Sequence, residues 1–575
     1  MSGIDLEPIV KLAQSGELEA ASRACDSALN AEPDNPELVH LRGLLFTLSG
    51  KPGEAIPFIR RAITSSPKPK YWSNLGNALA ASDRIEEAER AFRKAIKLDA
   101  NFGDAWFNLG RLLLHCGRVP EAAGALERVT RLNPADGEAW KIVGDTYQKF
   151  AQFVEATGAY LKAFELNPRN PNIAALTADC LERENRLDEA RRLAEIALTI
   201  QPGHGVASLV MAVLERRAGR PADARARLFA MPDSGLPLRL QARREHELGV
   251  LDDRASSHES AYAHFARAKA LQASLPDADQ ADGRRYLARL ERLIEADYSW
   301  LAERRDTPDD GMAEPVFIVG FPRSGTTLLN QSLNGHPELH VMEETPVLAV
   351  LERRLTDMQI AYPTGLAGLT DAQVGALRLQ YFDFVRLAHP NWDGRKRLVD
   401  KLPLNIGRLP LAARLFPRAR VVLALRHPYD ACLSGFIQLF EGNDAMANFF
   451  DLRSAALMYD RVFALWEKVS AAMPLPWMPL KYEELIVDPE NQMRALIGFL
   501  GLPWTTALLD HTSTVAKRGR INTPSYQQIA RPLHRESLGR WVYYARHFEP
   551  LEPLLRRHLK AWGYEATPPS VGEKA

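Results

Sequence analysis

Apolar positions in the first 275 residues follow helical spacing, and the pattern repeats every 34 residues. Prolines recur at the ends of second helices, at Pro33, Pro67, Pro134, Pro168 and Pro202. Tryptophan and glycine recur in the first helices, at Trp72, Trp106, Trp140, Gly76, Gly110 and Gly144. Alanine recurs in the second helices, at Ala88, Ala122, Ala156, Ala190 and Ala224. Because small residues let helices touch, aromatic residues fill the layer and proline stops a helix, the pattern predicts six or seven stacked helix pairs.

The pattern changes after residue 312, where short β-type apolar runs alternate with helical segments. Such runs begin near Val316, Leu339, Arg397 and Arg420, and the last is apolar enough for a central buried strand. Strands that alternate with helices predict an α/β domain with a central parallel sheet. The predicted divisions are a repeat array at 1–275, a helical linker at 276–312, the α/β domain at 313–566 and a disordered tail at 567–575.

Composition narrows the class of protein only slightly. The 575 residues carry a formal net charge of zero, so nothing indicates a nucleic-acid or membrane-surface protein. The four scattered cysteines form no CxxC pair, which is typical of reduced thiols in the cytoplasm. The N-terminus lacks the apolar core of a signal peptide, and no apolar run is long enough to span a membrane. We therefore expect a cytoplasmic protein without a membrane span.

The 34-residue period resembles the helix-turn-helix unit of tetratricopeptide (TPR) repeats. This resemblance implies an α-solenoid whose concave face binds polypeptide. The expected partner is either a protein acceptor or a second copy of the chain, in which case the protein would form a homodimer.

A phosphate-binding loop is predicted between the strand at Val316 and the helix that follows it. The spacing Gly320-x4-Gly325-Thr-Thr327 matches the nucleotide P-loop at both glycines and at the final hydroxyl. Thr326 stands where that loop has its lysine, which disfavours a P-loop kinase because the lysine reaches the β- and γ-phosphates. The cation is instead Arg323, whose planar fork suits a phosphosulfate.

The string Phe-Pro-Arg-Ser-Gly-Thr-Thr-Leu at residues 321–328 resembles the 5′-phosphosulfate loop of sulfotransferases, most of all the tyrosylprotein sulfotransferase branch. These enzymes use 3′-phosphoadenosine 5′-phosphosulfate (PAPS) as co-substrate and need no metal. The resemblance implies that the donor is bound by Arg323, Ser324, Gly325, Thr326, Thr327 and Leu328.

A carboxylate at the end of the second strand is the predicted general base. Sulfuryl transfer to a hydroxyl needs a proton acceptor, and Glu343 and Glu344 follow the strand near Leu339. The resembled family has the same Glu-Glu-Thr segment with its second glutamate as base, which implies Glu344. His336 and His340 are alternative bases, since cytosolic small-molecule sulfotransferases use histidine. Pro346 stands where the family has an arginine that recognises acidic tyrosine peptides, which leaves the acceptor open.

Further donor-site residues follow from later motifs. Lys401, at the end of a short strand, is placed to neutralise charge on the bridging oxygen as the phosphate leaves, and it matches a lysine in the resembled family. The family binds the 3′-phosphate with an Arg-x7-Ser motif, which matches Arg426 to Ser434, and Asp430 is expected to cap or orient the helix between them. Tyr482 and Arg531 match positions beside the nucleotide and the 5′-phosphosulfate.

The sequence thus predicts a sulfotransferase that moves a sulfuryl group from PAPS to an acceptor hydroxyl and releases 3′,5′-ADP. The favoured acceptor is a protein tyrosine recruited by the repeats; the alternative is a saccharide, lipid or small-molecule hydroxyl. Two more remote alternatives are a P-loop kinase and a non-catalytic TPR scaffold with a vestigial nucleotide domain.

Overall fold

The computed structural model describes residues 6–116, 118–150, 152–232, 235–275, 281–302, 311–342, 344–440, 442–510 and 537–565. The chain divides into two compact units, Met1–Pro168 and Arg169–Ala575. Among the described residues no helix is long and apolar enough to cross a membrane.

The first unit consists of five consecutive helix pairs. Its helices are α1 Glu7–Gln14, α2 Leu18–Ala31, α3 Pro36–Leu48, α4 Pro52–Ser65, α5 Pro69–Ala81, α6 Ile85–Leu98, α7 Gly103–His115, α8 Val119–Leu132, α9 Gly137–Lys149 and α10 Phe153–Leu166. The predicted prolines lie two residues beyond a second helix: Pro67 follows α4 in this way, and Pro134 follows α8. Proline therefore lies in the turn after four of the five pairs of this unit, as expected, while Ala100 occupies that position after α6.

The recurring glycines bring the two helices of a pair into contact. A Cβ added at Gly76 would lie 2.5 Å from the ring of Phe92, and one added at Gly144 would lie 2.6 Å from the ring of Tyr160. In each case the large residue stands sixteen positions after the glycine. The ring of the large residue on the second helix thus occupies the space that a side chain at the glycine would need.

The recurring tryptophans differ from expectation, because they are only half-buried rather than core fillers. The indole N–H of Trp106 donates to the Ala100 carbonyl at 2.9 Å, and that of Trp140 donates to the Pro134 carbonyl at 3.1 Å. These tryptophans tie the first helix of a pair to the turn before it. An indole carries a polar N–H, so an amphipathic position of this kind suits it.

The second unit begins with three more helix pairs and a connecting helix. These are α11 Pro171–Arg183, α12 Leu187–Ile200, α13 Gly205–Arg217, α14 Pro221–Phe229, α15 Leu238–Arg254, α16 His258–Ala273 and α17 Gly283–Glu295. The described part of the chain therefore holds eight helix pairs rather than six or seven. The extra pair is the first, whose helix α1 has only eight residues and lacks the tryptophan and glycine marks.

The rest of the second unit is built on a parallel sheet, as predicted, and this sheet has five strands among the described residues. The strands are β1 Val316–Gly320, β2 Leu339–Val341, β3 Arg397–Lys401, β4 Arg420–Leu425 and β5 Trp477–Lys481, in the order β2-β3-β1-β4-β5. The accompanying helices are α18 Thr326–Leu333, α19 Val347–Asp357, α20 Asp371–Ala388, α21 Leu409–Leu415, α22 Pro428–Ile437, α23 Leu452–Ala472, α24 Tyr482–Val487, α25 Pro489–Leu500, α26 Ala545–Phe548 and α27 Glu552–Trp562.

Helices cover both faces of the sheet. Val316 and Ile318 of β1 pack into one apolar cluster with α18 and α25. Phe317 and Val319 point the other way, into a larger cluster that includes α20 and α23. Because side chains alternate along a strand and both faces are covered, β1 reads as a continuous apolar run.

The last helix pair packs directly against the α/β domain. Phe265 of α16 belongs to the same apolar cluster as Phe436 of α22, and the Tyr262 and Phe436 rings lie 5.3 Å apart. Lys269, also on α16, is 1% exposed and donates to the Gln438 carbonyl at 2.5 Å. The last repeats and the α/β domain thus belong to one compact unit, while the division at 275 stays a prediction.

Lys269 makes this contact sensitive to pH. Burial lowers the pKa of Lys269 from 10.5 to about 7. At pH values between these two pKa values, Lys269 binds more protons in the unfolded chain than in the native one, so the free energy of unfolding rises with pH. We expect the stability of wild-type protein relative to Lys269→Met to rise by up to about 1.4 kcal/mol per pH unit from pH 7 to 10. The check is the difference between their apparent melting temperatures at pH 7, 8 and 9, and a constant difference would contradict it.

Candidate active site

Predicted site residues follow the carboxyl ends of all five strands. The phosphate loop follows β1, and Glu344 follows β2. The others are Lys401 at the end of β3, Arg426 after β4 and Tyr482 after β5. Because parallel strands end at one edge of a sheet, the topology gathers these side chains where an open α/β sheet binds its ligand.

The phosphate loop is packed so closely that two of its positions require glycine. A Cβ at Gly320 would lie 2.4 Å from the Ala424 carbonyl oxygen of β4. Gly325 has φ +79°, and a Cβ there would lie 2.3 Å from the Tyr482 ring. Gly325 also precedes α18, so free N–H groups of the first helical turn face the loop. This geometry suits a bound phosphate or sulfate.

Arg323 adopts the left-handed conformation inside this loop, with φ +71°. Such a backbone costs a non-glycine residue about 1–2 kcal/mol, so neighbouring contacts must hold it there. Arg426 Nη1 donates to the Arg323 carbonyl at 3.1 Å, and Arg323 Nε donates to Ser434 Oγ at 3.1 Å. The loop and the predicted Arg-x7-Ser pair therefore form one connected group.

Positive charge is concentrated around these contacts. Burial and the neighbouring Arg426 lower the pKa of Arg323 to about 10, which leaves it protonated at neutral pH. Arg426 Nε and Ser324 Oγ are buried without a hydrogen-bond partner among the described residues. Two adjacent cations and two buried donors fit an anionic ligand, which would relieve the repulsion and accept the bonds.

Tyr482 and Ser537 extend the site, and sequence reasoning missed Ser537. Arg426 Nη2 donates to the Ser537 carbonyl at 2.6 Å, and the Tyr482 and Ser537 hydroxyls lie 2.9 Å apart. The Arg426 guanidinium lies 4.9 Å from the centre of the Tyr482 ring, within cation–π range. Ser537 lies more than 100 positions from Arg426 and belongs to no motif, so the sequence does not indicate that the two residues are in contact.

Asp430 does not cap the helix after Arg426, so the capping alternative of that prediction was wrong. The cap of α22 is His427, whose ring accepts the Tyr429 N–H at 3.3 Å. Asp430 instead accepts two backbone N–H groups, from Gly539 and Trp541, each at 2.9 Å. It fixes Gly539 and Trp541, from the far end of the chain, against α22, the helix that carries Ser434.

The predicted base and the predicted leaving-group cation form an ion pair. Lys401 Nζ donates to Glu344 Oε1 at 2.8 Å. The Lys401 side chain is completely buried, whereas the Glu344 side chain is 44% exposed. The carboxylate can therefore meet a molecule from solvent while the ammonium lies beneath it. Glu343 lies outside the described residues, as does Arg531.

The two alternative histidine bases have different surroundings. His336 is buried; its Nε2 lies 2.8 Å from the Pro503 carbonyl and its Nδ1 accepts the Glu338 N–H at 3.1 Å. Both ring nitrogens are engaged, which disfavours a role in proton transfer. His340 is half-buried, and its ring lies 5.3 Å from that of His389, whose Nε2 contacts the Thr345 hydroxyl at 3.0 Å.

A parallel sheet, a glycine-bounded loop and converging cations together are typical of α/β domains that bind phosphate- or sulfate-bearing ligands. Residues 315–506 match the family model described as "Sulfotransferase family". Residues 12–225 match the model described as "Cilia and flagella-associated protein 70 C-terminal domain". The chain therefore carries a sulfotransferase-family domain behind TPR-like helical repeats, as both resemblances predicted.

Several curated proteins are similar over the C-terminal part. Protein-tyrosine sulfotransferase 1 of Danio rerio is 28% identical over 284 residues, which cover 45% of this chain and 74% of that protein. Protein-tyrosine sulfotransferase A of Caenorhabditis elegans is 26% identical, with coverages of 45% and 70%. An uncharacterized protein of Aquifex aeolicus is 27% identical over 48% of this chain but only 37% of its own length.

Among solved structures, the sulfotransferase domain of the Synechococcus PCC 7002 olefin synthase is 21% identical with a TM-score of 0.33, and covers 46% of this chain and all of that one. The crystal structure of MamA is 26% identical with a TM-score of 0.24, and covers 28% and 93%.

Proposed function

We propose that the protein transfers a sulfuryl group from PAPS to an acceptor hydroxyl. The observation that carries this proposal is the convergence of Arg323, Lys401 and Arg426 at the ends of three adjacent strands, with Glu344 paired to Lys401. The sulfotransferase-family match supports PAPS as the donor.

Each residue has a role in the proposed reaction. Arg426 and Ser434 hold the 3′-phosphate, while Arg323 and the loop N–H groups hold the 5′-phosphosulfate. The acceptor oxygen attacks sulfur and passes its proton to Glu344. The bond between sulfur and the bridging oxygen breaks, and that oxygen keeps the electron pair as 3′,5′-ADP leaves. Lys401 lies beside the carboxylate and offsets the charge that develops on the leaving phosphate.

A protein tyrosine is the proposed acceptor. Support comes from the protein-tyrosine sulfotransferases to which the domain is similar, and from the TPR-like repeats, a class of array that commonly binds polypeptide. Pro346 favours the alternative of a saccharide, lipid or small-molecule hydroxyl. It precedes α19 directly and supplies no cation for an acidic peptide.

Calorimetric titration with 3′,5′-ADP and, separately, with magnesium ATP tests the donor. We expect binding of 3′,5′-ADP alone. Preference for magnesium ATP would overturn the proposal in favour of a kinase. Binding of neither ligand would leave a TPR scaffold without a donor site.

Labelled-sulfate transfer then tests the acceptor. A tyrosine peptide with acidic neighbours is compared with the same peptide carrying phenylalanine, and with an oligosaccharide. Transfer to the tyrosine peptide alone supports a protein acceptor, whereas labelling of the oligosaccharide supports the alternative. Donor binding without transfer to any hydroxyl would support the scaffold.

A further inference from the structure

The segment Ser537–Tyr544, which we call the strap, lies against the donor site on one side. Its Ser537 receives a bond from Arg426 and contacts Tyr482, as described above. Farther along the strap, the Gly539 and Trp541 N–H groups donate to Asp430 of α22, the helix that carries Ser434. The strap therefore touches two of the elements that would hold the 3′-phosphate.

The other side of the strap is held by the helical repeats. Asp253, near the end of α15, contacts two strap residues with its two carboxylate oxygens. Oδ2 lies 2.8 Å from Arg540 Nη2, and Oδ1 accepts the Tyr544 hydroxyl at 2.5 Å. The Tyr544 side chain is fully buried and the Asp253 side chain is 17% exposed. This is a largely desolvated, charge-assisted contact, a kind of bond that is stronger than a neutral one.

Asp253 and Asp430 contact neighbouring positions of the strap. Trp541, bound by Asp430, directly follows Arg540, bound by Asp253. A shift of the strap away from α15 would move the Ser537 carbonyl and hydroxyl along with it. Arg426 would then lose one of its two described acceptors.

We infer that Asp253 is a positioning residue for the donor site, so that the last helix pair sets how tightly the α/β domain holds its nucleotide. The inference rests on the proposed function, since it assumes that Arg426 binds the donor. Asp253 touches no donor group itself and acts through the strap.

Glu259 offers a matched control. It is the second residue of the next helix, α16, and pairs with Arg546 and His547, which lie beyond the strap. It thus joins the same helix pair to the same C-terminal region through partners that lie outside Ser537–Tyr544. If such ion pairs only hold the two parts together, substitutions at Asp253 and at Glu259 should lower the affinity for 3′,5′-ADP equally.

The test is calorimetric binding of 3′,5′-ADP to wild-type protein, Asp253→Asn and Glu259→Gln. We expect Asp253→Asn to raise the Kd about tenfold and Glu259→Gln to leave it within about twofold, since one charge-assisted bond is lost near the site in the first variant only. In turnover assays the KM for PAPS should rise for Asp253→Asn while kcat changes little. If that variant does not fold, Tyr544→Phe removes one bond from the same carboxylate and should raise the Kd about threefold.

Equal affinity in wild type, Asp253→Asn and Tyr544→Phe would overturn this inference and leave the donor site intact. Equal losses in Asp253→Asn and Glu259→Gln would also overturn it, since that result indicates general loosening. Absence of 3′,5′-ADP binding in wild-type protein would overturn the proposed function itself.

Discussion

Arg426→Ala should weaken binding of 3′,5′-ADP by about 100-fold, because the variant loses a buried charge-assisted contact to the 3′-phosphate. Adenosine 5′-phosphosulfate lacks that phosphate, so its affinity should change far less. Arg426 also donates to the Arg323 carbonyl, and a general collapse of the loop would weaken both ligands alike. Titration of the two ligands therefore separates lost recognition from lost structure.

Arg420→Ala is the control for this variant. Arg420 begins β4, the strand that Arg426 follows, and lies at the opposite end of it. Its removal should change neither affinity. If Arg426→Ala weakens the binding of both ligands equally, Arg426 does not recognise the 3′-phosphate.

Glu344→Gln should lower kcat by a factor of about 10² to 10⁴, the usual contribution of a positioned general base. The amide keeps the shape of the side chain but accepts no proton from the acceptor hydroxyl. Binding of 3′,5′-ADP should persist or tighten, because Lys401 loses its carboxylate partner. The check is single-turnover sulfate transfer alongside calorimetry of the same preparation.

Glu338→Gln is the matched control for the base. Glu338 is exposed and stands just before β2, whereas Glu344 stands just after it. Unchanged kcat in Glu344→Gln would exclude it as the base. His340, the half-buried histidine of the same strand, would then be the next candidate to substitute.

Much of the site could be predicted because its residues lie at or just after the carboxyl ends of the strands. The run from Val316 to Gly320 indicates a buried strand, and whatever follows a parallel strand lies at the shared edge of the sheet. Arg323, Lys401 and Arg426 were found in this way, and the structure brings them together. Their functional roles remain predictions.

The contacts that could not be predicted join distant parts of the chain through single side chains. Asp430 resembles a helix cap by position, yet His427 occupies that role and Asp430 binds backbone N–H groups more than 100 positions away. Asp253 is one acid among many on a repeat helix. Local propensity carries no information about such pairs, because only the tertiary fold decides which surfaces meet.

The repeat pattern also does not predict that α16 packs against the α/β domain. Phe265 occupies the same position relative to Gly249 as Tyr160 does relative to Gly144. Both glycines accommodate an aromatic ring within their own pair. Periodicity describes contacts inside the array, so it does not reveal that the neighbours of Phe265 also contact another domain.

The unequal exposure of Lys401 and Glu344 has a kinetic consequence. In the proposed reaction, a buried ammonium under an exposed carboxylate would give the donor an inner position and the acceptor an outer one. Donor loading should then precede acceptor entry, and the sulfated product should depart before the nucleotide. Such an ordered sequence predicts that 3′,5′-ADP competes with PAPS but not with the acceptor in initial-rate inhibition patterns.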